Sequence, residues 1–212
     1  MNRPAGNPLT PEHFARVDGS DDTSFYAEPK LVTHIDDAAI ASLTRFYGEL
    51  IPDGAAVLDL MTSWVSHLPL SARYNRVAGL GMNAQELEEN PQLSERLVQD
   101  LNAQPLLPYV DAGFDAATVT VSVQYLTGPV EVFAEVGRVL RPGAPFAVAY
   151  SNRLFPTKAV AIWRALNDRE HADLIALYFR LSEKFDAAQA YDISPGPGSD
   201  PMYVVVGRRL AD

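Results

Sequence analysis

The sequence predicts an α/β fold: a Rossmann-like, mostly parallel sheet with helices on both faces and an antiparallel hairpin at the C-terminal end. Three observations carry that expectation. Short apolar runs alternate with segments of helical periodicity from Val57 to Leu181, the signature of strand–helix–strand units. The first run, Val57-Leu58-Asp59-Leu60, has the near-continuous apolar character of a strand covered on both faces. Beyond it the pattern changes to two alternating stretches, Phe185–Ile193 and Met202–Arg209. The turn-rich Ser194-Pro195-Gly196-Pro197-Gly198-Ser199-Asp200 joins them.

Met1 to about Ser24 is polar and broken by Pro4, Pro8, Pro11 and Gly19, so it reads as an irregular arm. The aromatic Phe25-Tyr26 follows. The chain divides into an arm over residues 1–35, able to act as a lid, and a main domain over 36–212. From Asp36 to Leu50, Ala39, Ile40, Leu43, Phe46, Tyr47 and Leu50 recur at helical spacing behind an acidic cap. The 15 residues between Leu60 and Arg76 leave room for one short helix before the second strand, Val77–Gly81. Asn83 caps the next helix, Arg96–Asn102 is a third strand and Gly113–Val121 a fourth. Pro129 starts a helix to about Leu140, which Arg141-Pro142-Gly143 ends before a fifth strand, Pro145–Ser151. Helical patterns over Phe155–Leu166 and Arg169–Leu181 precede the hairpin.

At 212 residues with 47% apolar content, the chain can bury one full core. A net charge of −10, with 27 acids against 17 bases and no basic cluster, argues against nucleic acid as a partner. The absence of cysteine excludes disulfides, thiolate metal sites and a cysteine nucleophile. No apolar run reaches membrane-spanning length, and Met1–Pro11 lacks the apolar core of a signal peptide. The expectation is a cytoplasmic protein that does not bind membranes. His13, His34, His67 and His171 are scattered without ligand spacing, so no metal site is expected, and no G-x-G-x-x-G follows a strand.

Asp59 near the end of the first strand, followed by small hydroxyl residues, lies where open α/β sheets bind ligands. It resembles the first motif of the class I S-adenosylmethionine-dependent methyltransferases, with Met61, Thr62 and Ser63 in place of the glycine turn. A second likeness is Phe114-Asp115 … Glu135-Val136-Gly137-Arg138-Val139-Leu140-Arg141-Pro142-Gly143. This is similar to a segment of the small-molecule (type 11-like) branch of that superfamily. Glu135 and Arg138 lie one turn apart and read as a surface pair. The resemblance covers roughly residues 36 to 209. It implies S-adenosyl-L-methionine as cofactor and a small molecule as methyl acceptor.

By position, the resemblance places Asp59 and the Met61-Thr62-Ser63 turn at the amino-acid part of the cofactor. Gly81, Met82 and Asn83 stand at the ribose, with Asn83 the nearest replacement for a missing strand-end acid. Asp100 and Leu101 bracket adenine, and Ser122 and Val123, with Gln124-Tyr125, face the transferred methyl. Candidate bases are His34 and Tyr125, and less directly His67. Asn152-Arg153, with Lys158 beyond, offers a positive mouth for an acidic substrate. Two readings stand: a small-molecule methyltransferase, or a non-catalytic binding or regulatory module on the same fold. The sequence leaves the acceptor and the oligomeric state open.

Overall fold

The computed structural model describes residues 8–211. The start of the arm, Pro4 included, and most of the Met1–Pro11 stretch lie outside the described residues. One seven-stranded sheet organises the rest: β1 (Ala56–Leu60), β2 (Arg76–Gly81), β3 (Glu95–Val98), β4 (Ala116–Thr120), β5 (Pro145–Tyr150), β6 (Gln189–Asp192) and β7 (Tyr203–Arg208). Their order is β3-β2-β1-β4-β5-β7-β6. The first five strands run parallel, and β7 is antiparallel to both β5 and β6. Strand order therefore reverses between β1 and β4, which opens a crevice at their carboxyl ends.

Alternation along each strand feeds two cores. Val57, Ala147, Ala149 and Val204 face one side, against Ala39, Leu43 and Tyr47 of α2 (Asp37–Leu50). Leu58, Leu60, Phe146 and Val148 face the other side. There they meet Val132, Phe133 and Val136 of α4 (Pro129–Val139) and Ile175, Tyr178 and Phe179 of α6 (Asp168–Ser182). Helix starts follow local chemistry. Asp36 accepts from Ala39 N (2.8 Å), and Asn167 with Glu170 forms a capping box for α6. Gly143 takes φ +80° in the turn that leads into β5. Asp36 and Asp200 each accept from the other's backbone N–H (2.6 and 3.0 Å), clamping the hairpin turn to the start of α2.

Four sequence expectations are corrected. No helix joins β1 to β2. Asn90 instead bonds Ser63 O and Ser66 Oγ (both 2.9 Å), and Gln92 bonds Leu68 O (2.9 Å). Side chains from beyond β2 thus satisfy loop groups that a helix would have paired internally. The third strand ends at Val98, because Asp100 Oδ1 accepts from Asn102 N (2.8 Å) and turns the chain there. The helix expected from Phe155 is only α5 (Ala161–Ala165), since Val160 N donates to Gln124 O (3.0 Å) and Ala161 N to Ala15 O (2.8 Å). The strand expected from Phe185 shortens to Gln189–Asp192, with Phe185 left as an isolated bridge to Arg209.

Arg138 does more than pair with Glu135 (2.8 Å). It also donates to the carbonyls of Leu107 and Tyr109 (both 2.8 Å), securing the crossing from β3 to β4. The described part of the arm packs down. Its 3-10 turn Pro11–Phe14 sets Phe14 against Tyr178, and α1 (Asp22–Phe25) follows. Lys158, fully buried, reaches Ser20 O (2.8 Å) and Asp22 (3.1 Å) beneath it.

Phe133 has no exposed surface, and its ring lies 4.8–5.7 Å from those of Phe146, Tyr178 and Phe179. Phe133→Ala is expected to lower unfolding free energy by about 3–5 kcal/mol, measured by urea denaturation. A loss under about 1 kcal/mol would mean that this face of the sheet is not a packed core.

Candidate functional site

A cavity of about 620 Å³ opens at the carboxyl ends of β1, β2 and β4, within the range of pockets that enclose a drug-sized ligand. Its floor comes from the loop after β1. Thr62 N donates to Leu80 O (2.9 Å), pinning that loop across the end of β2. A Cβ at Gly81 would fall inside contact distance of the Thr62 carbonyl oxygen, so this strand end holds no side chain. The roof is residues 22–36, fastened from below. Asn102 Nδ2 donates to Asp22 (3.0 Å), and Trp64 Nε1 to Val32 O (3.1 Å).

Of the residues singled out from the sequence, Met61, Thr62, Ser63, Gly81, Met82, Asp100, Leu101 and Ser122 line this cavity, as do His34 and Tyr125. Three do not. Asp59 is 1% exposed and lies on the same side of β1 as Val57, within the sheet's packing and off the cavity wall. Thr118 donates to one of its oxygens (2.9 Å), and the other has no partner among the described residues. Burial pushes its carboxyl up to about 6, against the opposing hydroxyls of Thr62, Ser66 and Thr118. Asn83 caps α3 (Ala84–Glu89) by accepting from Glu86 N (3.1 Å). Its amide donates to Tyr26 O (2.9 Å) and Ala27 O (3.0 Å), so the side chain serves the roof and not the cavity. Val123 turns into the core from the 3-10 turn Val123–Tyr125.

The sequence reading missed Glu86. It is 8% exposed, lines the cavity, and accepts from Lys30 N and Ser63 Oγ (both 2.6 Å). The available signal was an acid at the third position of a helix capped by Asn83, where it ordinarily reaches back to its own cap. Here it reaches across to the roof and the β1 loop.

His34 sits at the mouth with its ring edge-on to Phe155 (5.3 Å), and desolvation lowers its pKa, so it is neutral at pH 7. His67 is buried in the wall and lowered to about 4, chiefly by burial. Tyr125 OH accepts from Phe155 N (2.8 Å), and burial raises its pKa, so the phenol stays protonated. Burial pushes Asp22 upward, but hydrogen bonds from Arg16, Asn102 and Lys158 outweigh it and leave the carboxyl low. Arg153 is at the mouth with its Nε on Asp200 (2.8 Å), whereas Lys158 lies wholly inside. Met61, His67 and Val121 hold φ of 53°, 56° and 50°, and all three line the cavity. Left-handed backbone is unusual outside glycine, above all for β-branched valine, and such strain gathers at functional sites. Among the described residues, no group of three or more His, Asp or Glu is placed to hold a metal. No helix among them is long and apolar enough to cross a membrane.

Residues 62–148 match the sequence profile of a family described as "Methyltransferase domain". The chain is 28% identical over 97 residues to the biotin biosynthesis bifunctional protein BioHC of Teredinibacter turnerae, covering 45% of this chain and 17% of that protein. It is 34% identical over 106 residues to methyltransferase phqN of Penicillium fellutanum, covering 46% of this chain and 32% of that one. The chain thus spans less than a third of the length of BioHC and about a third of phqN. Among solved structures, the [4+2]-cyclase SpnF superposes with a TM-score of 0.63 over 90% of this chain and 92% of its own, at 15% identity. The fold is that of the class I S-adenosylmethionine-dependent methyltransferases.

Asp59 binds its proton more tightly in the folded chain than in the unfolded one. Stability is therefore expected to fall as pH rises from about 4 to about 6, by up to about 3 kcal/mol. Denaturant melts at closely spaced pH values read that slope, and Asp59→Asn should flatten it. An unchanged slope in the variant would assign it to other groups. Asn83→Ala removes a cap and two roof bonds. It is expected to cost about 1–3 kcal/mol and to speed amide exchange across residues 26–32, followed by mass spectrometry.

Proposed function

We propose that this chain is a methyltransferase that uses S-adenosylmethionine to methylate a small molecule. The observation that carries the reading is the cavity of about 620 Å³ at the switch point of a sheet whose residues 62–148 match a methyltransferase domain. The lining suits the cofactor. Asp100 and Glu86 offer acceptors for its hydroxyl and amino groups. Tyr26, Tyr125 and Phe155 offer aromatic faces to a sulfonium. When bound, that sulfonium supplies an electrophilic methyl group.

The chain's own residues then divide the work. Met61, Thr62 and Ser63 would hold the amino-acid part, Met82 would stand at the ribose, and Asp100 and Leu101 would hold the adenine. Ser122, whose hydroxyl is buried and without a partner among the described residues, would face the substrate side of the bound cofactor. His34, neutral at pH 7, would accept the proton that the methyl acceptor loses. Tyr125 keeps its proton and orients the acceptor by donating it. Residues 1–35 act as a lid on 36–212, with the roof excluding water from the transfer. The acceptor is a small molecule, and the place of action is the cytoplasm.

One observation favours the second reading, a non-catalytic binding module. The loop over β2 has no glycine, and the Thr62 carbonyl closes the strand end. SpnF, similar in fold, is a [4+2]-cyclase, so this architecture also serves chemistry other than methyl transfer. Calorimetric titration with S-adenosylmethionine and S-adenosylhomocysteine separates the two. The expected result is one site for each, with Kd below about 1 mM, or more than ~4 kcal/mol of binding free energy. Absence of heat from both at millimolar concentration would replace the enzyme by the binding module. With an acceptor in hand, His34→Ala should slow turnover about 10²- to 10⁴-fold while leaving S-adenosylhomocysteine affinity nearly unchanged.

A further inference from the structure

Glu86 is a buried carboxylate with no cation in ion-pair range among the described residues. Its partners are both neutral, the Lys30 backbone N–H and the Ser63 hydroxyl, one on each oxygen. An ionised carboxyl has about four acceptor sites, so each oxygen keeps one unfilled by these bonds. A buried charge without a counter-charge is stabilised only by a full set of donors. The side chain lies in the cavity wall, and the remaining donors can come from what the cavity holds. Two hydroxyls on adjacent carbons present two O–H donors side by side, matched to the two oxygens of one carboxylate.

Three of the other acids of the wall are committed elsewhere within the protein. Asp22 is held by Arg16, Lys158 and Asn102. Asp36 and Asp200 cap each other's backbone, and Asp200 also takes Arg153. Asp100 is half-buried, turns one oxygen to Asn102 N and leaves the other for the adenine assigned to it above. The Asn83 amide is spent on two roof carbonyls and on the start of α3. Position 81 admits no side chain.

We propose that Glu86, reaching from the first turn of α3, holds the paired ribose hydroxyls of the nucleoside cofactor. The proposal rests on the methyltransferase reading above. It makes Glu86 the residue that ties ligand, roof and β1 loop together. Neither Asn83 nor the end of β2 contributes.

The test is calorimetry on the full chain with S-adenosylhomocysteine and with its 2′-deoxy and 3′-deoxy analogues. The unmutated protein should prefer the intact diol by about ten- to a hundredfold, the scale of a hydrogen bond to a charged group. Glu86→Gln should weaken S-adenosylhomocysteine by a similar factor and lose most of the discrimination. That loss of coupling is the readout a merely structural role would not produce. Equal binding of the three ligands by the unmutated protein overturns the proposal. So does full discrimination kept by Glu86→Gln, or its loss in Asp100→Asn. Should Glu86→Gln melt below the assay temperature, the analogue series on the unmutated protein and on Asp100→Asn still decides. No binding of S-adenosylhomocysteine by the unmutated protein overturns the methyltransferase reading itself.

Discussion

The contact on which the site depends is the one between the loop after β1 and the end of β2. Thr62 donates its backbone N–H to Leu80 and lays its carbonyl oxygen where a side chain at position 81 would stand. Only glycine permits that approach. With the loop laid down in this way, Met61 and His67 adopt left-handed backbone and the chain proceeds to β2 without a helix. The same contact sets the floor of the cavity and excludes an acid from the strand end. The nearby carboxylate then comes from another element, Glu86 on α3.

The roof is held by bonds that each tie it to a different part of the floor. Asn83 holds Tyr26 and Ala27, Glu86 holds Lys30, Trp64 holds Val32, and Asn102 holds Asp22. Beneath its first turn lies Lys158, fully buried between Asp18 and Asp22. Net hydrogen bonds of this kind contribute about 1 kcal/mol each, so the roof is secured by their number and not by any one of them. Glu86 and Asp22 stand both in the cavity wall and among the roof's fastenings.

Electrostatics in the cavity follow from burial more than from pairing. His34 and His67 are both kept neutral by desolvation, which leaves unprotonated imidazole at the mouth and in the wall at pH 7. Tyr125 is driven the other way and keeps its proton. The cavity thus presents a neutral imidazole and a protonated phenol from the same wall. Asp22, Asp36 and Asp200 are tied up by Arg16, Lys158, Arg153 and backbone groups, and Glu86, which pulls the His34 pKa upward, does not offset the desolvation.

Much of the fold is local in origin and so was legible from the sequence alone. Two-sided apolar runs gave β1, β4 and β5. Helical spacing behind Asp36 and over Arg169–Leu181 gave α2 and α6, and the alternating end gave the hairpin. Each signal depends on residues a few positions apart. The crevice was legible too, because a strand order that reverses beside β1 brings Met61–Ser63, Gly81-Met82, Asp100-Leu101 and Ser122 to one end of the sheet. Tertiary structure alone decided which side chains enter that crevice. Asp59 alternates with Leu58 and Leu60 and so turns to the face of Val57, where the strand's pleat buries it beside Thr118. Asn90 and Gln92 bond carbonyls more than 20 residues earlier and replace a helix by a loop. Glu86 leaves its own cap for Ser63, 23 residues away, and Lys30, 56 residues away. Sequence spacing records none of these bonds, because their partners become neighbours only once the sheet has formed.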